Sequence, residues 1–281
     1  MEQKKGNGKD ILLLLGAIGA ALAVNLGISF VGGIAITFYY MAQGCNMEEI
    51  MQLATSPGVT MKLSCVMHLC FIVIFGIWYK FGFVKKNKIP FKQVYTVKNV
   101  MCFVALGVGL QICISYMLEI VNILFPAALK SYMELMEKMD LGNSWIALVM
   151  TVLMAPIGEE LIFRGVIMGY GKRIMPFVWV NLLQAVLFGL YHMNLVQGLY
   201  AFVLGLLLGY LAKKCDSLLA SIAVHFVVNG SANLVSFLSS GTGETTSTES
   251  MGLVLVIVIS VISAIVCAAA CYFVKGKTVE E

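Results

Sequence analysis

Long apolar runs broken by short polar clusters organise this chain. A helix that crosses a bilayer needs about 20 mainly apolar residues. Eight runs reach or approach that length: Ile11–Met41, Leu63–Val84, Val100–Phe125, Ser144–Tyr170, Pro176–His192, Gln197–Ala212, Ser217–Leu238 and Gly252–Val274. The first is long for one crossing and predicts a helix that tilts or projects beyond the bilayer. The fifth and sixth are short, and only Met193–Val196 separates them. Two connections predict helices lying on the surface, Met47–Ala54 and Leu129–Met139. The second puts Leu129, Tyr132, Met133, Met136 and Met139 on one face and Lys130, Glu134, Glu137 and Lys138 on the other. The stretch Ser239–Ser250 is polar and reads as a mobile loop. The pattern predicts an all-α, polytopic membrane helix bundle of about eight transmembrane helices, a single integral membrane domain over residues 1–281.

Composition sharpens this reading. The chain is 60% hydrophobic and only 12% charged, about half the charge of a soluble globular chain. Disorder is excluded by the apolar content. A disulfide-rich secreted module is disfavoured, since the eight cysteines contain no CxxC. Cys267 and Cys271 share a face of the last run and read as packing residues. The net charge of +4 does not point to nucleic acid, because the basic residues sort by membrane side. Lys4, Lys5, Lys9, Lys80, Lys85, Lys86, Lys88, Lys92, Lys98, Lys172, Arg173, Lys213, Lys214, Lys275 and Lys277 fall on one side, and the opposite loops hold only Lys62, Lys130 and Lys138. By the positive-inside rule both termini are expected to be cytoplasmic, which requires an even number of spans. The first run is too long for the h-region of a cleavable signal peptide.

The nineteenth basic residue, Arg164, lies inside the fourth run with Glu159 and Glu160. A charge at the centre of a membrane helix costs about 2.5–3.5 kcal/mol on insertion scales, so such residues are kept when they pair or when they work. Glu160 and Arg164 stand at i,i+4 with the acid first, the favourable order for a helical ion pair. Glu159 is rotated about 100° away and reads as the unpaired carboxylate. Pro156 removes a backbone hydrogen bond just before it and predicts a kink.

The fifth run ends in FGLYH, Phe188 to His192, and the seventh contains HFVVN, His225 to Asn229. The first stacks an aromatic ring at i−4 beside the imidazole of His192, and the second puts His225 and Asn229 at i,i+4 on one helix face. His68, alone in the second run, reads as an interhelical hydrogen-bonder, and Glu119 as a residue reaching the interface. Glu159, His192, His225 and Asn229 together make a hydrolytic set. A carboxylate in an apolar pocket suits a general base, and imidazole and carboxamide N–H groups suit an oxyanion. Other hydrolase signatures are missing: there is no HExxH, no GxSxG, and no Asp within the hydrophobic runs.

The ordered trio EExxxR (Glu159–Arg164), FxxxH (Phe188–His192) and HxxxN (His225–Asn229) resembles the CPBP family. These are CAAX-processing and bacteriocin-processing intramembrane proteases, also called Abi-like, which include the type II CAAX prenyl endopeptidases. The resemblance covers about residues 145–238. It implies peptide-bond hydrolysis within the membrane, on a peptide or membrane-protein substrate. Glu159 would activate a water, His192 would help hold it, His225 and Asn229 would serve the oxyanion, and Glu160 and Arg164 would support the site. A zinc ion held by Glu159, His192 and His225 and a metal-free glutamate mechanism both fit these residues. A bacterial plasma membrane is the expected location. Two other classes compete, a non-enzymatic self-immunity or scaffold protein and a proton-coupled transporter. The transporter is disfavoured because no helices are interrupted at corresponding places in two halves.

Helix depth poses a problem. Counted from a common surface, His225 lies about 12 Å in and His192 about 28 Å in. A fifth helix beginning near Asn181, with Pro176–Val180 along the interface, would bring them level.

Overall fold

The computed structural model describes residues 8–84, 91–138, 144–242 and 253–276. Most of the polar connection before the last helix lies outside the described residues, as do Met139 and Lys4, Lys5, Lys85, Lys86, Lys88 and Lys277. Eleven helices make up the described chain, with no strand among the described residues. They are α1 (Gly8–Ala42), α2 (Met47–Ala54), α3 (Pro57–Gly82), α4 (Phe91–Val94), α5 (Val97–Leu124), α6 (Pro126–Lys138), α7 (Trp145–Ile174), α8 (Phe177–Tyr191), α9 (Leu195–Lys214), α10 (Leu218–Thr242) and α11 (Leu253–Phe273). The all-helical membrane bundle is as the sequence pattern predicts.

Of the eight expected crossings, seven are helices long and apolar enough to span: α1, α3, α5, α7, α9, α10 and α11. The fifth, α8, has 15 residues, about 22 Å at 1.5 Å per residue and short of a roughly 30 Å hydrocarbon core. Its start is also corrected: the helix begins at Phe177, not near Asn181. The expected surface helices both form. α2 is opened by a reciprocal cap, with Asn46 Oδ1 accepting from Glu49 N at 3.0 Å and Glu49 Oε2 accepting from Asn46 N at 2.8 Å. α6 docks on α9, where the Tyr132 and Tyr200 hydroxyls meet at 3.4 Å.

The bundle is built around α7. More than half of its spanning window, 56%, is buried, against 11% for α1, which lies at the periphery. α3 and α10 flank α7, α5 packs along α10 and α11, and α8 forms a tight antiparallel pair with α9. Glycines set the closeness of that pair. A Cβ on Gly189 would stand 2.7 Å from the Gly198 carbonyl oxygen, and one on Gly205 would stand 3.0 Å from Ala185 Cα. The Gly205/Gly209 pair therefore serves packing within the chain.

One end of the bundle gathers the basic connections. Arg173 reaches Asp10 at 3.3 Å and the Gly82 carbonyl at 3.2 Å, Lys214 donates to the Cys271 carbonyl at 2.6 Å, and Asn99 Oδ1 accepts from Lys275 N at 2.9 Å. The alternation of basic and neutral connections along the sequence is thus matched in space. Cys267 and Cys271 are buried in the main core.

Candidate active site

α7 is a single rod with two π-helical stretches, Met150–Met154 and Leu161–Ile167, on either side of the turn that carries both glutamates. Pro156 accounts for the first. It has no N–H to give to the preceding turn, and its ring crowds the carbonyl four residues back. The backbone widens instead, and Ala155 N bonds Met150 O five residues back. In that register the partner of Thr151 O would be the missing N–H of Pro156. The amide of Asn229 takes its place, with Nδ2 donating to Thr151 O at 2.8 Å. Asn233 Nδ2 then bonds Asn229 O at 2.8 Å and Thr151 Oγ1 at 3.1 Å, so α10 is locked to α7 in this register.

The two glutamates separate as their helical positions require. Glu160 is fully buried. Its Oε1 accepts from Arg164 Nη1 at 2.8 Å and from His225 Nδ1 at 3.0 Å. Arg164 also donates to the Gly205 carbonyl at 3.3 Å and stacks 4.4 Å from the centroid of Phe188. The carbonyl of Gly205 accepts from Gln184 Nε2 as well, at 2.8 Å, which ties the α8–α9 pair to the arginine.

Glu159 does not meet Arg164. It faces two imidazoles: His225 Nε2 is 3.7 Å from Oε2, and His68 Nε2 is 3.8 Å from Oε1. Both separations exceed a direct hydrogen bond. The carboxylate is buried, as are both rings. His225 carries its Nδ1 proton towards Glu160, an arrangement that fixes the ring and turns Nε2 towards Glu159.

His192 caps the C-terminus of α8. Its Nδ1 donates to Phe188 O at 2.8 Å, which curls the ring back along the helix. The turn that follows is tight, with Met193 at φ 52° and Asn194 Oδ1 capping α9 through Gln197 N at 3.0 Å. Phe188 stands between the two histidines of the motifs, with ring centroids 4.9 Å from His192 and 5.9 Å from His225, both edge-to-face. The two histidines approach a common ring without a late start to α8: Phe188 bridges them, and Val180 near the start of α8 and Leu218 at the start of α10 share one buried cluster.

The structure thus gathers Glu159, Glu160, Arg164, His225 and Asn229 at the α7–α10 contact and adds His192 through Phe188. It also corrects the reading of His68. That ring does hydrogen-bond, Nδ1 to the Ser64 carbonyl at 2.9 Å, but within its own helix, and its other nitrogen faces Glu159. An ionisable ring in an apolar span was the available signal, since such a side chain faces the bundle interior.

Among the described residues no three His, Cys, Asp or Glu side chains, Glu159, His192 and His225 included, form a metal-holding group.

A family model described as Rce1-like, type II CAAX prenyl endopeptidase, matches residues 141–231. The resemblance read from the three motifs is borne out: the segment that matches this model runs from the approach to α7 into α10. α1 to α6 and α11 lie outside the match. No curated protein and no solved structure matches the chain.

Proposed function

We propose that the protein is an intramembrane endopeptidase in which Glu159 is the general base. The observation that carries this reading is a buried carboxylate with an imidazole nitrogen near each oxygen, 3.7 and 3.8 Å away, inside the Rce1-like segment. Such a spacing leaves room for a water between the carboxylate and a ring nitrogen. Glu159 takes the proton as the water oxygen attacks the scissile carbonyl, and returns it to the departing amide nitrogen. His225 and Asn229 serve the oxyanion. His225 does so through Nε2, which the bond from Nδ1 to Glu160 directs towards the site. Asn229 uses the amide hydrogen that Thr151 O leaves available. His192 is assigned to helping hold the water. Glu160 and Arg164 hold His225 and neutralise each other.

The substrate class is a membrane-associated peptide or protein. The test is hydrolysis by the purified protein in detergent, beside Glu159→Gln, of a prenylated CAAX peptide, its unprenylated form and unrelated peptides. Cleavage by the wild type alone is the expected result. Full biological activity of Glu159→Gln in the cell would overturn the reading in favour of a non-enzymatic immunity or scaffold role.

A further inference from the structure

The site contains one group that neither the sequence motifs nor the Rce1-like segment accounts for. His68 comes from α3, far outside residues 141–231, yet it faces the same carboxylate as His225. Its side chain is 7% exposed, and its Nε2 is buried without a hydrogen-bond partner. The backbone is arranged to allow this approach. A Cβ on Gly158, the residue before Glu159, would meet Phe71 Cβ at 3.3 Å and both His68 Cδ2 and His68 O at 3.7 Å. A glycine there lets α3 lie close against α7.

Hydrogen-bond inventory gives the arrangement its chemical meaning. A carbonyl oxygen only accepts, so His68 Nδ1, bonded to Ser64 O at 2.9 Å, carries the proton of the neutral ring. Nε2 then presents a lone pair. Oε1 of an ionised Glu159 also only accepts. Two acceptors 3.8 Å apart in a buried pocket call for one molecule that donates to both. Water has two donors at nearly the required angle, and donating both leaves its lone pairs directed outward, towards an electrophile.

We infer that His68 is a further catalytic residue of this site, holding the attacking water against Glu159 through Nε2. The inference rests on the endopeptidase reading. In the step, one water O–H breaks and its proton goes to Glu159 as the water oxygen bonds the carbonyl carbon. The carbonyl π pair moves to its oxygen. Glu159 then gives that proton to the amide nitrogen, the C–N bond breaks, and the oxyanion pair re-forms C=O. The product acid keeps the other water hydrogen, which points at His68 Nε2 and leaves to it, giving a carboxylate and an imidazolium that passes the proton to solvent.

The test compares wild type, Glu159→Gln, His68→Phe and His68→Gln for peptide hydrolysis in detergent. His68→Phe keeps the ring shape, and His68→Gln keeps a polar group near the position of Nε2. The expected result is a fall in kcat of about 10- to 100-fold in His68→Phe, with KM unchanged and with partial recovery in His68→Gln. Wild-type kcat in His68→Phe, with hydrolysis lost in Glu159→Gln, would overturn the role of His68 and leave the endopeptidase reading standing. No hydrolysis by the wild type would overturn that reading and this inference with it. A second readout needs no turnover. In ¹⁵N spectra of histidine-labelled protein, the Nε2 resonance of His68 is expected to move in Glu159→Gln. A resonance that does not move would overturn the contact on which the role depends.

Discussion

Asn229 is bonded to the backbone of Thr151, not to a side chain, and Pro156 is the reason that the carbonyl is available. The 2.8 Å contact couples an irregularity in α7 to the orientation of a residue on α10. Replacing Pro156 with Ala restores an N–H that competes for Thr151 O and lets the π stretch relax towards regular helix. The expected outcome is a melting temperature unchanged or raised, because proline in a helix interior costs about 3 kcal/mol, together with a kcat lowered about tenfold as Asn229 loses its fixed direction. An unchanged kcat would show that the bond is not needed to aim the amide.

Glu159→Gln is expected to fold and insert normally. The residue makes no ion pair with Arg164, and glutamine keeps its shape. Hydrolysis should fall by at least the 10²–10⁴-fold typical of losing an acid–base group. Initial rates on a cleaved peptide, with binding measured separately, check this. Weaker binding at an unchanged kcat would place Glu159 in recognition instead.

Glu160→Gln is expected to act on stability first. Glu160 Oε1 serves both Arg164 and His225, and the Glu160 and Arg164 side chains are fully buried. Removing the charge leaves a buried guanidinium without its counter-ion, which costs about 3–5 kcal/mol. Thermal melting in detergent reads this directly. A stable Glu160→Gln with low kcat would instead mean that orienting His225 is the main role of Glu160.

Much of this arrangement was legible in the sequence, and the reasons are local. The Glu160–Arg164 pair follows from i,i+4 spacing on one helix, and the exclusion of Glu159 from it follows from the same geometry. The apolar runs give the bundle because a membrane helix satisfies its backbone within itself. What could not be read depends on how helices meet. His68 and Glu159 are 91 positions apart, and nothing in α3 records that Gly158 will bring α7 against it. The π stretches were foreseen only as a kink at Pro156, since the choice between kinking and widening rests on whether a partner such as Asn229 is there to take the freed carbonyl. At α8 the apolar run is longer than the helix, which stops after 15 residues, at the turn through Met193.

Gly205 sits where packing and charge meet. Its missing Cβ lets Ala185 approach, and its carbonyl accepts from both Gln184 and Arg164. Gly205→Ala forces a methyl into a space where the nearest atom is backbone, 3.0 Å away, so α9 must move away from α8. Overpacking of this kind costs about 1–3 kcal/mol. The shift also lengthens the bond from Arg164 to the carbonyl, and Arg164 is what holds Glu160 and, through it, His225. Gly205→Ala is therefore expected to lower both melting temperature and kcat, whereas Gly205→Leu should fail to fold. The discriminating variant is Gly198→Ala, which crowds the same helix pair against the Gly189 carbonyl, at 3.0 Å, without touching the arginine. It should lower the melting temperature by a similar amount and leave kcat nearer the wild-type value. Equal losses of kcat in the two variants would mean that the helix spacing alone, and not the bond to Arg164, governs the site.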